Sequence, residues 1–291
     1  MKPNPNAAAP DHRIFLFCDL DGTVSPYGES TGSPEANLIF AKLVQRNEIV
    51  LAYVTGRTLA SAKEVIITHK LPLPHYLAAD VGSTIERVEN GAYVPMQNWW
   101  TAIGRDWVGA TPESILARLT RVPGIRPQEP EVQNTYKVCF YTDYDAQGDV
   151  LVNKVQSALL DLRIRSQVLW SRDDVLHVGY LDVMPLGAGK LGAVRWLLSQ
   201  TGISQEHAVF AGDSGNDLPV LASGIRSVMP RNGQESVLKI ALATLEKKER
   251  GFSKRLYHAK GGFLGLDGNV LGGVLEGLYM HFPQTREWML G

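Results

Sequence analysis

The chain has 291 residues, enough for more than one hydrophobic core, since single cores rarely grow far beyond about 250 residues. Its 44% apolar and 20% charged residues are those of a soluble globular protein, and a formal net charge of -1 argues against the broad basic surface of a nucleic-acid or anionic-membrane binder. Two cysteines, Cys18 and Cys139, cannot build a disulfide framework. The sequence also shows no secretory h-region and no apolar run of about 18 residues, so the expectation is a cytoplasmic protein acting on small molecules, with oligomeric state left open.

Residues 1–12 are polar and rich in Pro and Ala, and read as a disordered lead-in. Ile14 to Cys18 is an apolar run of strand length that ends directly in Asp19-Leu20-Asp21-Gly22-Thr23. Ser33-Pro34 reads as an N-cap with proline at the first helical position, and a helix is expected over 36–47. A strand over 50–54 leads into Thr55-Gly56-Arg57, followed by a helix over 59–69 and a strand over 76–79. This βαβαβ opening is the signature of an open, mostly parallel sheet.

Near residue 86 the pattern changes. A short strand over 88–94 turns at Glu89-Asn90-Gly91, a Trp-rich helical stretch covers 99–107 and continues in 112–119, and Val132, Tyr136, Val138 and Phe140 mark a strand within 131–141. A helix over 150–160 and strands over 164–170 and 175–178 complete an α+β insertion spanning 87–182. The first pattern resumes at 183. A helix from Lys190 to Ser199, a strand over 208–211 ending in Gly212-Asp213-Ser214-Gly215-Asn216-Asp217, a short helix over 218–222, a strand over 227–229 and a helix over 234–245 are expected. A last helix over 270–279 is weakened by its glycines. The expected organisation is therefore a core of 13–86 and 183–291 interrupted by the insertion, with a cleft between them.

Carboxylates at strand tips are what phosphoryl transfer needs. Asp19 is placed to attack phosphorus, and Asp21, two residues on, to protonate the leaving alkoxide and then deprotonate water. Gly22 lets the chain turn beside the phosphate. Thr55 offers a hydroxyl and an amide to the phosphoryl oxygens, and Lys190 a positive charge for the transition state. Asp213 and Asp217 add oxygen donors that suit Mg²⁺, with Asp19, Asp213 and the Asp21 carbonyl as ligands and Asp217 behind them, orienting Lys190. Arg57 is a candidate phosphate or cap contact. Zinc is not indicated, and Gly187-Ala188-Gly189-Lys190 fails the phosphate-loop pattern because Leu191 follows the lysine.

The four motifs, Asp19 to Thr23, Thr55-Gly56-Arg57, Lys190 and Gly212 to Asp217, resemble in order and spacing those of the haloacid dehalogenase (HAD)-like phosphatases, in particular the Cof-type group with an inserted cap, and within it the sucrose-6-phosphate phosphatases and related bacterial sugar-phosphate phosphatases. The resemblance implies a Rossmann-like three-layer α/β core with a parallel sheet and an inserted α+β cap. It also implies Mg²⁺-dependent hydrolysis of a sugar phosphate through an aspartyl-phosphate. Ala79-Asp80-Val81-Gly82-Ser83 resembles that branch's sugar-approaching loop, Tyr136-Lys137-Val138 its cap strand with a substrate-facing lysine, and Gly273 to Leu278 its C-terminal helix. Gly22, Gly56, Arg57, Gly82, Ser83, Lys137 and Asn216 are accordingly the expected substrate contacts. A phosphomutase and a non-catalytic carbohydrate-binding protein on the same fold are the alternatives. Trp99, Trp100, Trp107 and Trp170 fit the cap's own core or a dimer contact better than a sugar-stacking role.

Overall fold

The structure is a computed structural model that describes residues 13–29 and 31–291; the expected lead-in over 1–12 lies outside the described residues. Among the described residues, twelve strands and ten α-helices follow one another as β1 (Ile14–Cys18), α1 (Pro34–Leu43), β2 (Ile49–Val54), α2 (Leu59–Thr68), β3 (Tyr76–Ala79), β4 (Thr84–Glu89), β5 (Ala92–Pro95), α3 (Gln97–Gly104), α4 (Pro112–Leu119), β6 (Arg126–Pro127), β7 (Val138–Thr142) and α5 (Gly148–Leu159). The chain continues through β8 (Ser166–Asp173), β9 (Val178–Pro185), α6 (Gly189–Thr201), β10 (Ala208–Ala211), α7 (Leu218–Leu221), β11 (Arg226–Met229), α8 (Glu235–Lys248), β12 (Leu256–His258), α9 (Val270–His281) and α10 (Thr285–Leu290).

Eight strands form one sheet in the order β12-β11-β10-β1-β2-β3-β4-β5, parallel from β12 to β3 and antiparallel at β4 and β5. β1 is central and all five of its residues are buried. Its alternating side chains serve both faces: Phe15 and Phe17 pack with α6, α7 and α8, while Ile14, Leu16 and Cys18 pack with α1, α2 and α9. This three-layer arrangement brings the carboxyl ends of β1, β2 and β10 side by side. The strand order reverses at β1, where open α/β sheets place their sites.

The other four strands form an antiparallel sheet, β6-β7-β9-β8. Period-2 alternation divides its faces. Val138, Phe140, Leu181 and Val183 bury one face against Ile115 and Leu119 of α4 and Val155 of α5, whereas Lys137, Tyr141, Tyr180 and Asp182 belong to the opposite face. That polar face turns toward the tips of the large sheet.

Several expected boundaries differ. Residues 87–95, expected in the insertion, pair with the edge of the large sheet, and 183–185, expected in the core, complete β9 of the small one. Apolar runs alone cannot say which sheet a strand joins. The strand expected over 131–141 begins only at Val138, because Pro130 to Val132 form a 3₁₀ turn. The strand expected over 175–178 is mostly the β8–β9 turn, where Asp173 accepts hydrogen bonds from the Val175 and Leu176 amides at 2.9 and 2.8 Å. Conversely, α9 forms despite three glycines. A β-carbon at Gly277 would lie 2.3 Å from Val228, so the helix trades intrinsic propensity for close packing on β11.

Candidate active site

Strand tips and one helix start assemble the site. Asp19 leaves β1 with 4% of its surface exposed, and its Oδ1 accepts from the Leu20 amide at 2.8 Å and from Lys190 Nζ at 3.0 Å. Lys190, in the first turn of α6, is 2% exposed and reaches Asp217 Oδ1 at 2.7 Å. The second Asp217 oxygen accepts from the amides of Asp213 and Ser214 at 3.0 and 3.1 Å. Asp217 therefore spends both oxygens on holding the lysine and its own loop. Asp213 Oδ1 accepts from the Thr23 hydroxyl at 2.8 Å, which ties the loop after β10 to the loop after β1.

The electrostatics follow from burial. Asp19, Asp213 and Asp217 each offer an oxygen within 4.8 Å of the others', and a single ammonium cannot neutralise them. Desolvation pushes the Asp19 carboxyl well above the ordinary range, with Lys190 opposing and Asp217, Asp213 and Asp21 adding to the rise. Burial works against the Lys190 charge as well, yet Asp19 and Asp217 outweigh it and hold that lysine above its usual pKa. Asp213 is raised to about 7, first by burial and then by Asp217. Surplus negative charge on hard oxygen donors is what a divalent cation such as Mg²⁺ would offset.

These shifts carry a sign. A carboxylate whose folded pKa is raised binds protons more tightly folded than unfolded, so its contribution to stability is fully present below about pH 4 and is lost as pH rises toward about 7. In EDTA, thermal denaturation is expected to show the protein less stable at pH 8 than at pH 5.5 by about 1 kcal/mol or more from this group, with Mg²⁺ restoring stability chiefly at pH 8. Equal midpoints under all four conditions would contradict the buried-cluster picture.

Asp21 is held differently. Arg57 Nε and Nη2 each donate to one of its oxygens at 2.7 Å, a two-pronged pair, and Arg57 Nη1 donates to Ser61 Oγ at 2.8 Å. Thr55 is buried, with its hydroxyl accepting from the Arg57 amide at 3.2 Å. Gly22 has φ +71°, and a β-carbon there would lie 2.5 Å from Asp213 Oδ2. Gly22→Ala is accordingly expected to cost about 1–3 kcal/mol through strain and crowding and to lower turnover by displacing Asp213. Wild-type turnover and melting temperature in that variant would exclude this role.

Asp19, Asp21, Gly22, Gly56, Arg57, Lys137, Asp213 and Asn216 line a single cavity of about 790 Å³ between the large sheet's tips and the polar face of the small sheet. Thr55, Lys190 and Asp217 lie just beneath its floor. Gly82 and Ser83 do not line it, a correction to the expected substrate contacts. The Gly82 carbonyl accepts from Trp99 Nε1 at 3.2 Å, and the Ser83 hydroxyl bonds the Asp80 carbonyl at 3.0 Å while accepting from Asn134. Tight packing of Gly82 on the Gly189 carbonyl supports α6 instead, and Val81, one residue earlier, reaches the cavity. None of the four tryptophans lines the cavity; Tyr27, Tyr141 and Tyr180 do.

Sequence reasoning missed three groups. Asn232, beyond β11, donates to the Gly22 carbonyl at 2.7 Å and accepts from the Val270 amide at 2.8 Å, joining the loop after β1 to the start of α9. Tyr27 donates to Asp173 at 2.6 Å and Gln234 to Asp174 at 3.0 Å, so the β8–β9 turn is fastened across the cavity mouth. Asp182 of β9 lines the roof beside Lys137. The Tyr136-Lys137-Val138 and Leu181-Asp182-Val183 alternation was the available signal for the last of these.

The family model for sucrose-6F-phosphate phosphohydrolase matches residues 12–282. A protein of Nitrosococcus oceani described only as a HAD-like hydrolase is 40% identical over 277 residues, 95% of this chain and 74% of its own. The mannosylfructose-phosphate phosphatase of Agrobacterium fabrum is 26% identical over 78% of this chain and 86% of its own length. Sucrose-phosphatase 2 of Nicotiana tabacum is 25% identical over 78% of this chain, which spans about half (52%) of that protein. The structure of the Synechocystis sucrose-phosphatase, in complex with sucrose and phosphate, superposes with a TM-score of 0.74 at 24% identity, covering 93% of this chain and 98% of that one, and so shares the fold. No helix among the described residues is long and apolar enough to cross a membrane. The chain is a phosphatase of the sucrose-6F-phosphate phosphohydrolase family, within the Cof-type branch of the haloacid dehalogenase-like hydrolases.

Proposed function

We propose that the protein hydrolyses a sugar phosphate monoester, a disaccharide or hexose phosphate, with Mg²⁺, through a phosphorylated Asp19. The observation that carries this reading is the convergence of Asp19 and Asp213 on the floor of one cavity, with Lys190 held against Asp19 just beneath it and the polar face of the small sheet, which acts as the cap, above. Asp19 Oδ1 is engaged by Leu20 and Lys190, leaving Oδ2 to attack phosphorus. As that bond forms and the ester bond to the sugar breaks, Asp21 gives its proton to the leaving oxygen. Water then attacks the phosphorus with Asp21 as base, releasing inorganic phosphate and restoring the Asp19 carboxylate.

Lys190 neutralises charge on the phosphoryl oxygens, and Asp217 fixes where that ammonium sits. Thr55 supplies a further donor. The Arg57 clamp occupies both Asp21 oxygens, and an incoming phosphate, competing for the same guanidinium, frees them for proton transfer. Asp19 and Asp213 are the residues that would hold Mg²⁺, which when bound screens the phosphate charge and draws the ester toward Asp19. The cap excludes bulk water and selects the sugar.

The test is Mg²⁺-dependent phosphate release over a panel of sucrose-6-phosphate, other disaccharide phosphates, hexose phosphates and amino-sugar phosphates. One substrate well above the rest, abolished by EDTA, is expected. A flat, EDTA-insensitive background across the panel would reject this reading.

A further inference from the structure

A second cavity, of about 300 Å³, lies at the seam between the large sheet and the cap. Three elements wall it. Gln97, Trp100 and Thr101 stand at positions i, i+3 and i+4 of α3 and so share one face of that helix, which is itself anchored in the core by Trp99 and Ile103. Thr84 opens β4 of the large sheet, and Asn134, Thr135 and Tyr136 lead into β7 of the small one. The two parts meet here: Asn134 Nδ2 donates to Ser83 Oγ at 3.2 Å, and Tyr136 packs against the buried clusters of both.

Its chemistry differs from that of the active-site cavity. No carboxylate, ammonium or guanidinium lines it. The hydrogen-bonding groups are neutral, and several are unspent. Thr84 is only 9% exposed, yet among the described residues its hydroxyl has no partner. The same holds for the Gln97 amide, the Thr135 hydroxyl and the Trp100 indole N–H. A hydroxyl nine-tenths buried is costly to keep without a partner, so its placement on a cavity wall points to something that meets it there.

We propose that this seam cavity binds one neutral sugar ring or cyclic polyol, free of phosphate, at a site separate from the reaction. Neutral donors and acceptors around a half-buried indole match a molecule with hydroxyls on its rim and C–H groups on its faces. A volume at the low end for small-molecule sites suits a single ring. A carboxylate or phosphate would lose its hydration there with no cation to meet it. The effect on the enzyme follows from where the chain goes next. Residues 134–136 continue into Lys137, which lines the active-site cavity. A ligand held by Thr84 and α3 on one side and by 134–136 on the other needs cap and core in the arrangement seen here, so its binding favours that arrangement over an opened one. The binding site stands without the sugar-phosphatase reading above; only its coupling to turnover rests on that reading.

The experiment is a calorimetric titration of the full chain with a neutral hexose, a cyclic polyol and the matching sugar acid, in wild type, Thr84→Val and Trp100→Ala. The neutral rings are expected to bind wild type at least about tenfold more tightly than the sugar acid. Thr84→Val keeps the side chain's shape and is expected to weaken that binding about threefold to tenfold, and Trp100→Ala about tenfold or more. Affinity unchanged in both variants would put the sugar in the active-site cavity and overturn the proposal, as would no binding by either neutral ring, or a sugar acid bound as tightly. Should Trp100→Ala fail to fold, Thr84→Val decides. For the coupling, a neutral ring is expected to lower kcat and KM for the preferred phosphate ester together, by about twofold or more, in wild type and not in Thr84→Val. Inhibition that only raises KM, equally in both proteins, would overturn the coupling. A chain that binds the ring and cleaves no phosphate ester would overturn the sugar-phosphatase reading and the coupling while upholding the seam site.

Discussion

Lys190→Met is expected to lower the melting temperature in EDTA at pH 8 by roughly 10 °C and to reduce phosphate release by about 10²–10³-fold. The lysine is 2% exposed, and its ammonium lies 3.0 Å from Asp19 and 2.7 Å from Asp217. Methionine fills much of the same space but leaves Asp19, Asp213 and Asp217 clustered without an internal cation. Removing one partner of a buried ion pair typically costs about 3–5 kcal/mol, because the other charge stays desolvated. The protein escapes part of that cost by protonating the carboxylates, so the deficit relative to wild type is expected to narrow at pH 5.5. A deficit of equal size at both pH values would mean that the lysine stabilises through packing and not through charge.

Asp19→Asn is expected to separate chemistry from stability. The amide keeps an oxygen for Lys190 and the Leu20 amide, but loses the charge that the proposed attack by Oδ2 requires. Phosphate release should fall by about 10⁴-fold or more, the scale seen when a nucleophile acting within a catalytic unit is removed. Stability should hold or rise by about 1 kcal/mol, since burial and three neighbouring carboxylates already press Asp19 toward its neutral form. The two measurements are needed together. Lost turnover with an unchanged or higher melting temperature assigns Asp19 to the chemistry, whereas retained turnover would rule it out as the nucleophile.

The fold was readable wherever a segment's periodicity had only one possible environment. Ile14 to Cys18 could only be a doubly buried strand, and the βαβ order that follows forces right-handed parallel crossovers. The strand-tip carboxylates were legible for the same reason, since a polar residue directly after such a strand must emerge at the sheet's carboxyl edge. Legibility ended where two environments fit one pattern. β4 and β5 could have joined either sheet, and they extend the large one. α9 looked weak by propensity because helix scales do not contain Val228, against which Gly277 packs. The Trp-rich stretch offered aromatic rings for a sugar, yet Trp99 and Trp107 are buried in the protein and tyrosines line the cavity.

Local sequence therefore determined the parallel core, the carboxylates at its tips and the family to which the chain belongs, because these depend on residue type and short spacing along single strands. Tertiary structure decided what faces those tips. Asn232 meets Gly22 across 210 positions, Tyr27 meets Asp173 across 146, and Asp182 comes to lie beside Lys137 only through the antiparallel register of β7 and β9. Contacts of that span are set by how sheets and helices close on one another, and no local pattern of apolar and polar residues encodes them.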